Sequence, residues 1–134
     1  MSVQSRVRYI VPADIQTVWR TVTSLTDYAW RSDVAKIERL DDTQFVERTQ
    51  SGAATLFRVT QTQPPHLWAF DMENAYFSGH WTGRFTAVDN NCTELDFAED
   101  ITLKKWLPRW LAKFYLYRQQ RRYRRDLCRK LQNV

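Results

Sequence analysis

Apolar and polar side chains alternate at the start of the chain, with Val3, Val7, Tyr9 and Val11 on one side and Arg6 and Arg8 on the other. A period of two belongs to a half-buried strand, so residues 3–11 are expected to be extended. Pro12 ends that strand, because it has no N–H to give to a ladder. Beyond it Ile15, Val18, Trp19, Val22 and Leu25 return every three or four residues, the single apolar stripe of a helix. Asp14 stands near the helix N-terminus, where a carboxylate meets the dipole favourably. The segment TDYAWRSD that follows has capping residues and aromatics without a long period, and reads as a short second helix or turn around Tyr28 and Trp30.

Across residues 34–103 the pattern becomes short runs separated by turn residues: Asp41-Asp42, Ser51-Gly52, Pro64-Pro65, Asn74-Ala75 and Asp89-Asn90-Asn91. These breaks delimit six strands. Connections this short allow only antiparallel hairpins, since a parallel return needs a crossover of about a dozen residues or more. After Leu103 a stretch without glycine, rich in Lys, Arg, Leu and aromatics, predicts one long helix with Pro108 in its first turn. Leu103, Leu107, Trp110, Leu111, Phe114 and Tyr117 form its first apolar stripe, and Leu127, Cys128 and Leu131 lie rotated from it.

The expected order is strand, helix, short helix, six strands, long helix (βααββββββα), an α+β architecture with one seven-stranded antiparallel sheet and a terminal helix across it. Strand phase then selects the inward side chains: Phe57 and Val59; Trp68, Phe70 and Met72; Phe77, Trp81 and Phe85; Leu95, Phe97 and Ile101. Trp110, Phe114 and Tyr117 are their expected partners on the helix. Large rings from both layers either fill the core completely or hold the layers apart around a cavity.

Composition sharpens this picture mainly through charge. The chain has 134 residues, 20 Lys plus Arg and 15 Asp plus Glu, a formal net charge of +5. The excess is localised: residues 1–102 carry 9 basic and 14 acidic groups, and residues 103–134 carry 11 basic and one acidic. With three Gly, four Pro and no low-complexity tract, residues 1–134 are expected to form one domain. Arg6 and Arg8 interrupt any apolar leader, and no apolar run is long enough to span a bilayer, so a cytoplasmic protein is expected. Cys92 and Cys128 are too far apart in sequence for a CxxC motif, and with two histidines they suggest neither a disulfide framework nor a metal site. No cofactor is expected.

Glu99 shares the phase of Leu95, Phe97 and Ile101. It should therefore point inward, where desolvation would raise its pKa and suit it to a general acid or a ligand hydrogen-bond partner. Tyr76 and Arg84 are candidate helpers. His80 and Arg84 fall on the outward phase and His66 follows a Pro-Pro turn. No nucleophile elbow and no glycine-rich phosphate loop is present. The basic cluster Arg118, Arg121, Arg122, Arg125 and Arg129 is a candidate polyanion contact, with Trp106, Trp110 and Leu111 as an interfacial face if the partner is an anionic membrane. A nucleic acid is not the expected partner; internal pairing of these arginines with the acidic body is the expectation.

Residues 7–19 (VRYIVPADIQTVW), the Leu25-Thr26-Asp27-Tyr28 run with Trp30 behind it, the strand pair joined through Asp89-Asn90-Asn91-Cys92-Thr93 and the closing amphipathic helix together resemble the SRPBCC superfamily. That superfamily includes START domains, the birch-pollen allergen type and the bacterial polyketide cyclase/dehydrase and lipid-transport group. Asn91-Cys92-Thr93 stands where many members have a Gly-Gly-Thr turn. The resemblance implies the helix-grip fold, in which a curved sheet wraps the C-terminal helix and encloses a hydrophobic cavity. Together with the inward faces read above, this makes the expected function that of an intracellular protein that holds a small hydrophobic molecule, such as a lipid or polyketide, on Phe57, Val59, Trp68, Phe70, Met72, Trp81, Phe85, Leu95, Phe97, Glu99, Trp110, Phe114 and Tyr117. A cyclase- or dehydratase-like enzyme using the same cavity, with Glu99 as acid, is the alternative. An interaction module built on the basic helix is the third.

Overall fold

The computed structural model describes residues 2–132. The elements are β1 (Ser2–Val11), α1 (Ile15–Thr23), β2 (Val34–Arg39), β3 (Gln44–Thr49), β4 (Ala54–Gln63), β5 (Leu67–Glu73), β6 (Phe77–Asp89), β7 (Cys92–Leu103) and α2 (Arg109–Gln132). All seven strands join one sheet in the order β1-β7-β6-β5-β4-β3-β2. Every adjacent pair is antiparallel, and β1 returns to the far edge beside β7, with Ser2 opposite Thr102 and Val11 opposite Thr93. Bulges at Val34/Lys36, Val59/Gln61 and Ala87/Asp89 add local twist, which bends a sheet out of plane. The inner face of this sheet grips α2, which runs most closely along β1. This is the helix-grip fold.

The alternation in β1 is realised as Val3, Tyr9 and Val11 buried on the inner side. Asp14 caps α1: its Oδ2 accepts the Thr17 N–H at 3.1 Å and its Oδ1 the Thr17 hydroxyl at 2.6 Å. That supplies a partner for one of the otherwise unsatisfied N–H groups of the first turn. Val18, Trp19 and Val22 bury the apolar stripe of α1, and the Trp19 indole meets the Phe85 ring edge-on at 5.1 Å. Thr93, fully buried at the start of β7, donates its hydroxyl to the Ala13 carbonyl at 2.8 Å and ties the sheet to the β1–α1 connection.

Two expectations need correction. No second helix forms around Tyr28 and Trp30; residues 24–33 are turns, and the order is βαββββββα. There Ser24 Oγ accepts the N–H groups of Thr26 and Asp27, and the Trp30 indole N–H donates to the Asp27 carbonyl. Such side chain–backbone bonds compete with a helical ladder.

The second correction is the phase of α2. Its buried residues are Ala112, Leu116, Asp126, Leu127 and Leu131, and the half-buried Gln120 and Tyr123 complete one continuous row at steps of three and four. Trp110, Phe114 and Tyr117 lie outside that row and are exposed. A small Ala112 and a polar Gln120 within the buried row weaken its apolar signal, while the aromatic row beside it imitates a core stripe.

Candidate ligand cavity

The concave face of the sheet, α2 and the 24–33 turns line a partly open cavity of about 210 Å³. Its wall is aromatic because the strand phase places rings on successive inner positions. Phe45 stacks on Phe57 with centroids 4.9 Å apart, and Phe70 stacks on Trp81 at 4.8 Å. Trp68 and Phe97 extend the wall on either side, Phe97 lying 4.8 Å from Trp81. Stacked and edge-to-face rings hold one another in position, so the wall is preorganised. The ring of Trp81 lies over Gly83, where any Cβ would overlap it.

The lining also carries polar side chains. Glu99 is among them and accepts a hydrogen bond at Oε1 from Gln120 Nε2 at 3.1 Å. Burial raises the Glu99 pKa above the ordinary glutamate value, and the Gln120 bond offsets part of that rise. Arg31 reaches in from the turns and forks onto Glu47, Nη1 to Oε2 at 2.8 Å and Nη2 to Oε1 at 3.2 Å, with Asp33 a further 3.2 Å partner. Burial alone would lower the Arg31 pKa, but Glu47 and Asp33 outweigh it and keep the guanidinium charged. The guanidinium lies 5.4 Å from the centre of the Tyr123 ring, and burial pushes the Tyr123 phenol above its ordinary value. Arg31 Nε is buried without a hydrogen-bond partner.

Of the side chains expected at the site, Phe57, Trp68, Phe70, Met72, Trp81, Phe97 and Glu99 line this cavity. Phe85 and Leu95 are sealed in the core, 2% and 0% exposed. Val59 packs on the core without lining the cavity. Trp110, Phe114 and Tyr117 are on the outside of α2, and α2 instead supplies Gln119, Gln120 and Tyr123. Sequence reasoning missed Phe45, Arg31, Glu47, Gln120 and Tyr123. A legible signal existed for Tyr123, which continues the Leu116–Leu127 row of α2, and for Phe45, the large apolar side chain of its strand. Tyr76 and Arg84, considered as helpers of Glu99, are exposed and do not line the cavity.

His80 is exposed on the outer face of the sheet, its Nδ1 2.7 Å from Asp71 Oδ1. That contact and Arg58 hold the Asp71 pKa below its ordinary value. Among the described residues, no group of three or more His, Cys, Asp or Glu is placed to hold a metal ion.

A family model described as polyketide cyclase / dehydrase and lipid transport matches residues 2–133. The chain belongs to this family. It is thereby a member of the SRPBCC superfamily, and solved structures of low identity share its fold throughout. A START superfamily protein from Mycobacterium smegmatis superposes with a TM-score of 0.87 at 13% identity, covering 98% of this chain and 97% of that one. The Zhui aromatase/cyclase from a Streptomyces species gives 0.81 at 13% identity, covering 98% and 94%. Norcoclaurine synthase from Thalictrum flavum, in complex with dopamine and hydroxybenzaldehyde, gives 0.67 at 10% identity, covering 99% and 88%. No curated protein sequence matches significantly. At these identities the neighbours speak for the fold, and the family membership rests on the sequence model.

Proposed function

We propose that this family member binds a small, mainly apolar molecule carrying one hydroxyl or carbonyl group. The observation that carries this reading is a ring-lined cavity of about 210 Å³ with the hydrogen-bonded Glu99 and Gln120 in its lining. An apolar cavity of about 150 Å³ accommodates benzene, so the space suits a single substituted ring or a short acyl chain rather than a large polycyclic ligand. A carboxyl whose pKa is raised by burial donates to a ligand oxygen when protonated, and the Gln120 amide offers both a donor and an acceptor. The single-ring molecules bound to norcoclaurine synthase on the same fold are consistent with that size class. Cys92 and Cys128 as free thiols fit a reducing cytoplasm.

The test is titration with single-ring phenols, aromatic aldehydes and short-chain acids while following indole emission, since Trp30, Trp68 and Trp81 line the cavity. Saturable quenching that weakens in a Trp81→Ala protein is expected. Absence of saturable quenching by any apolar compound, together with no co-purifying ligand in native mass spectra, would sink the reading.

A second reading is acid catalysis of a cyclisation or dehydration in the same cavity, favoured by the desolvated Glu99 beside Gln120. Positioning in a dry site supplies much of such a rate enhancement. A Glu99→Gln protein that binds a candidate substrate normally but loses turnover would support it, and full turnover would eliminate Glu99 as the acid.

A further inference from the structure

The outward face of α2 and the 104–108 approach to it present an array that the cavity does not use. Trp106 is 84% exposed and Trp110 72%, more than the other large apolar side chains among the described residues. Phe114, Tyr115 and Tyr117 are exposed beside them. Trp110, Phe114, Tyr117 and Arg121 recur at four, three and four residues, which places them along one side of the helix, outside the row buried through Ala112, Leu116, Tyr123 and Leu127. Residues 104–125 carry nine Lys and Arg and no acid. Arg118 and Arg121 lie over the rings of Phe114 and Tyr117 at 6.0 and 5.7 Å, and Lys105 lies over Tyr76 at 5.2 Å.

The acidic body neutralises only a small part of this basic segment, through Lys104 and Lys130. Five acids of the sheet are taken by arginines of the body, Asp96 by Arg6, Glu94 by Arg8, Glu38 by Arg48, Asp71 by Arg58 and Glu47 by Arg31, and Glu73 is taken by Lys104 at the start of the approach to the helix. From α2, Lys130 meets Asp27 at 3.5 Å and Arg125 meets Asp126 of its own helix at 3.7 Å, while Arg122 hydrogen-bonds Ser32. Arg109, Lys113, Arg118, Arg121 and Arg129 have no ion-pair partner among the described residues.

We propose that this face is a docking surface for an anionic phospholipid bilayer, with Trp106, Trp110 and Phe114 entering the interface and Lys105, Arg109, Lys113, Arg118 and Arg121 contacting the headgroups. Indole rings beside cations are the side chains that settle at headgroup depth, and a helix with an apolar side flanked by basic residues lies in the interface plane. Charge selects this occupant over a second copy of the chain. A two-fold contact through the face would set the same basic patch on both copies against itself, cation facing cation. A nucleic acid would want the rings in a groove that tracks the strand, whereas these project from the outside of a helix. The separation of charge also orients the molecule, since the acidic body is repelled from the surface that attracts the tail. Gln119, Gln120 and Tyr123 on the same helix line the cavity, so docking would bring the cavity within about one helix diameter, roughly 10 Å, of the lipid. The proposal does not depend on what the cavity holds.

Co-sedimentation of the full chain with vesicles tests it. Binding to mixed phosphatidylcholine and phosphatidylglycerol vesicles at about 0.1 M salt is expected, with little binding to phosphatidylcholine alone. Binding should weaken at about 1 M salt, where the Debye length falls from about 10 to about 3 Å. A Trp106→Ala, Trp110→Ala protein should lose about tenfold or more in affinity with an unchanged melting temperature, and a Lys113→Glu, Arg121→Glu protein should lose binding with its rings intact. Equal binding to neutral vesicles, no binding to anionic ones, unchanged binding by both variants, or tighter binding to a single-stranded oligonucleotide would overturn the proposal. A dimer in solution that the tryptophan variant dissociates would assign the face to a second copy instead.

Discussion

Gln120 of α2 donates to Glu99 of β7 across 3.1 Å, and both side chains line the cavity. The bond joins the helix to the strand at a carboxyl whose burial raises its pKa. The folded protein therefore holds the Glu99 proton more tightly than the unfolded chain. Its contribution to stability must fall as pH rises from the ordinary value of 4.5 through the raised one, then level off. A Glu99→Gln protein lacks this loss. Urea midpoints measured from pH 4 to pH 8 should converge at the acid end and separate in the variant's favour toward neutrality. Parallel curves would show that Glu99 is not desolvated. Carboxylates held low, such as Asp96 beside Arg6, act in the opposite direction and cancel in the difference.

Gly83 sets the position of Trp81. A Cβ there would overlap the indole and approach Phe97 at 3.1 Å, so Gly83→Ala must displace the ring that forms the centre of the cavity wall. Overpacking of this kind costs about 1–3 kcal/mol. Chemical denaturation should show that loss, and affinity for an apolar probe should fall with it.

Arg31 and Glu47 form a bidentate pair that is only 16% and 15% exposed. Removing Arg31 strands the Glu47 charge, at a cost of about 3–5 kcal/mol. Arg31→Met should therefore destabilise strongly, Glu47→Gln less because Asp33 still meets the guanidinium at 3.2 Å, and the double variant should cost less than the sum of the two. Additive losses in a double-mutant cycle would show that the groups do not act as a pair.

Asp126 is 2% exposed on α2 and accepts both the backbone N–H and the hydroxyl of Ser32 at Oδ2, at 2.8 and 2.7 Å. It anchors the turns that carry Trp30 and Arg31 to the cavity. Hydrogen bonds to a charged acceptor contribute about 1.5–3 kcal/mol. An Asp126→Ala protein should lose about that much stability and show faster amide exchange in residues 24–33 than in β7. Uniform acceleration would mean that the anchor is not local.

Side-chain periodicity alone determined seven strands, their antiparallel pairing through short turns and the inward phase of Phe57, Trp68, Phe70, Trp81 and Phe97, because a strand's faces are set by a local period of two. The same rule placed Glu99 on the inner phase, where it lines the cavity. It also sent Phe85 and Leu95 inward correctly, but which inward residues meet a cavity and which are sealed depends on α1, whose Trp19 covers Phe85. Only the tertiary structure decided which face of α2 is gripped. Two rows of apolar residues compete on that helix, and the outcome depends on the space the curved sheet leaves. Ala112, Leu116, Gln120 and Tyr123 fit beneath it, and Trp110, Phe114 and Tyr117 remain outside. The polar lining of the cavity was likewise illegible, because the Arg31–Glu47 pair and the Glu99–Gln120 pair are each made by long-range folding and not by any spacing along the chain. The charge asymmetry was plain from the sequence, but that the sheet's arginines and not those of α2 neutralise the acidic body follows from strand register, which places Arg6 diagonally next to Asp96 and Arg58 directly opposite Asp71.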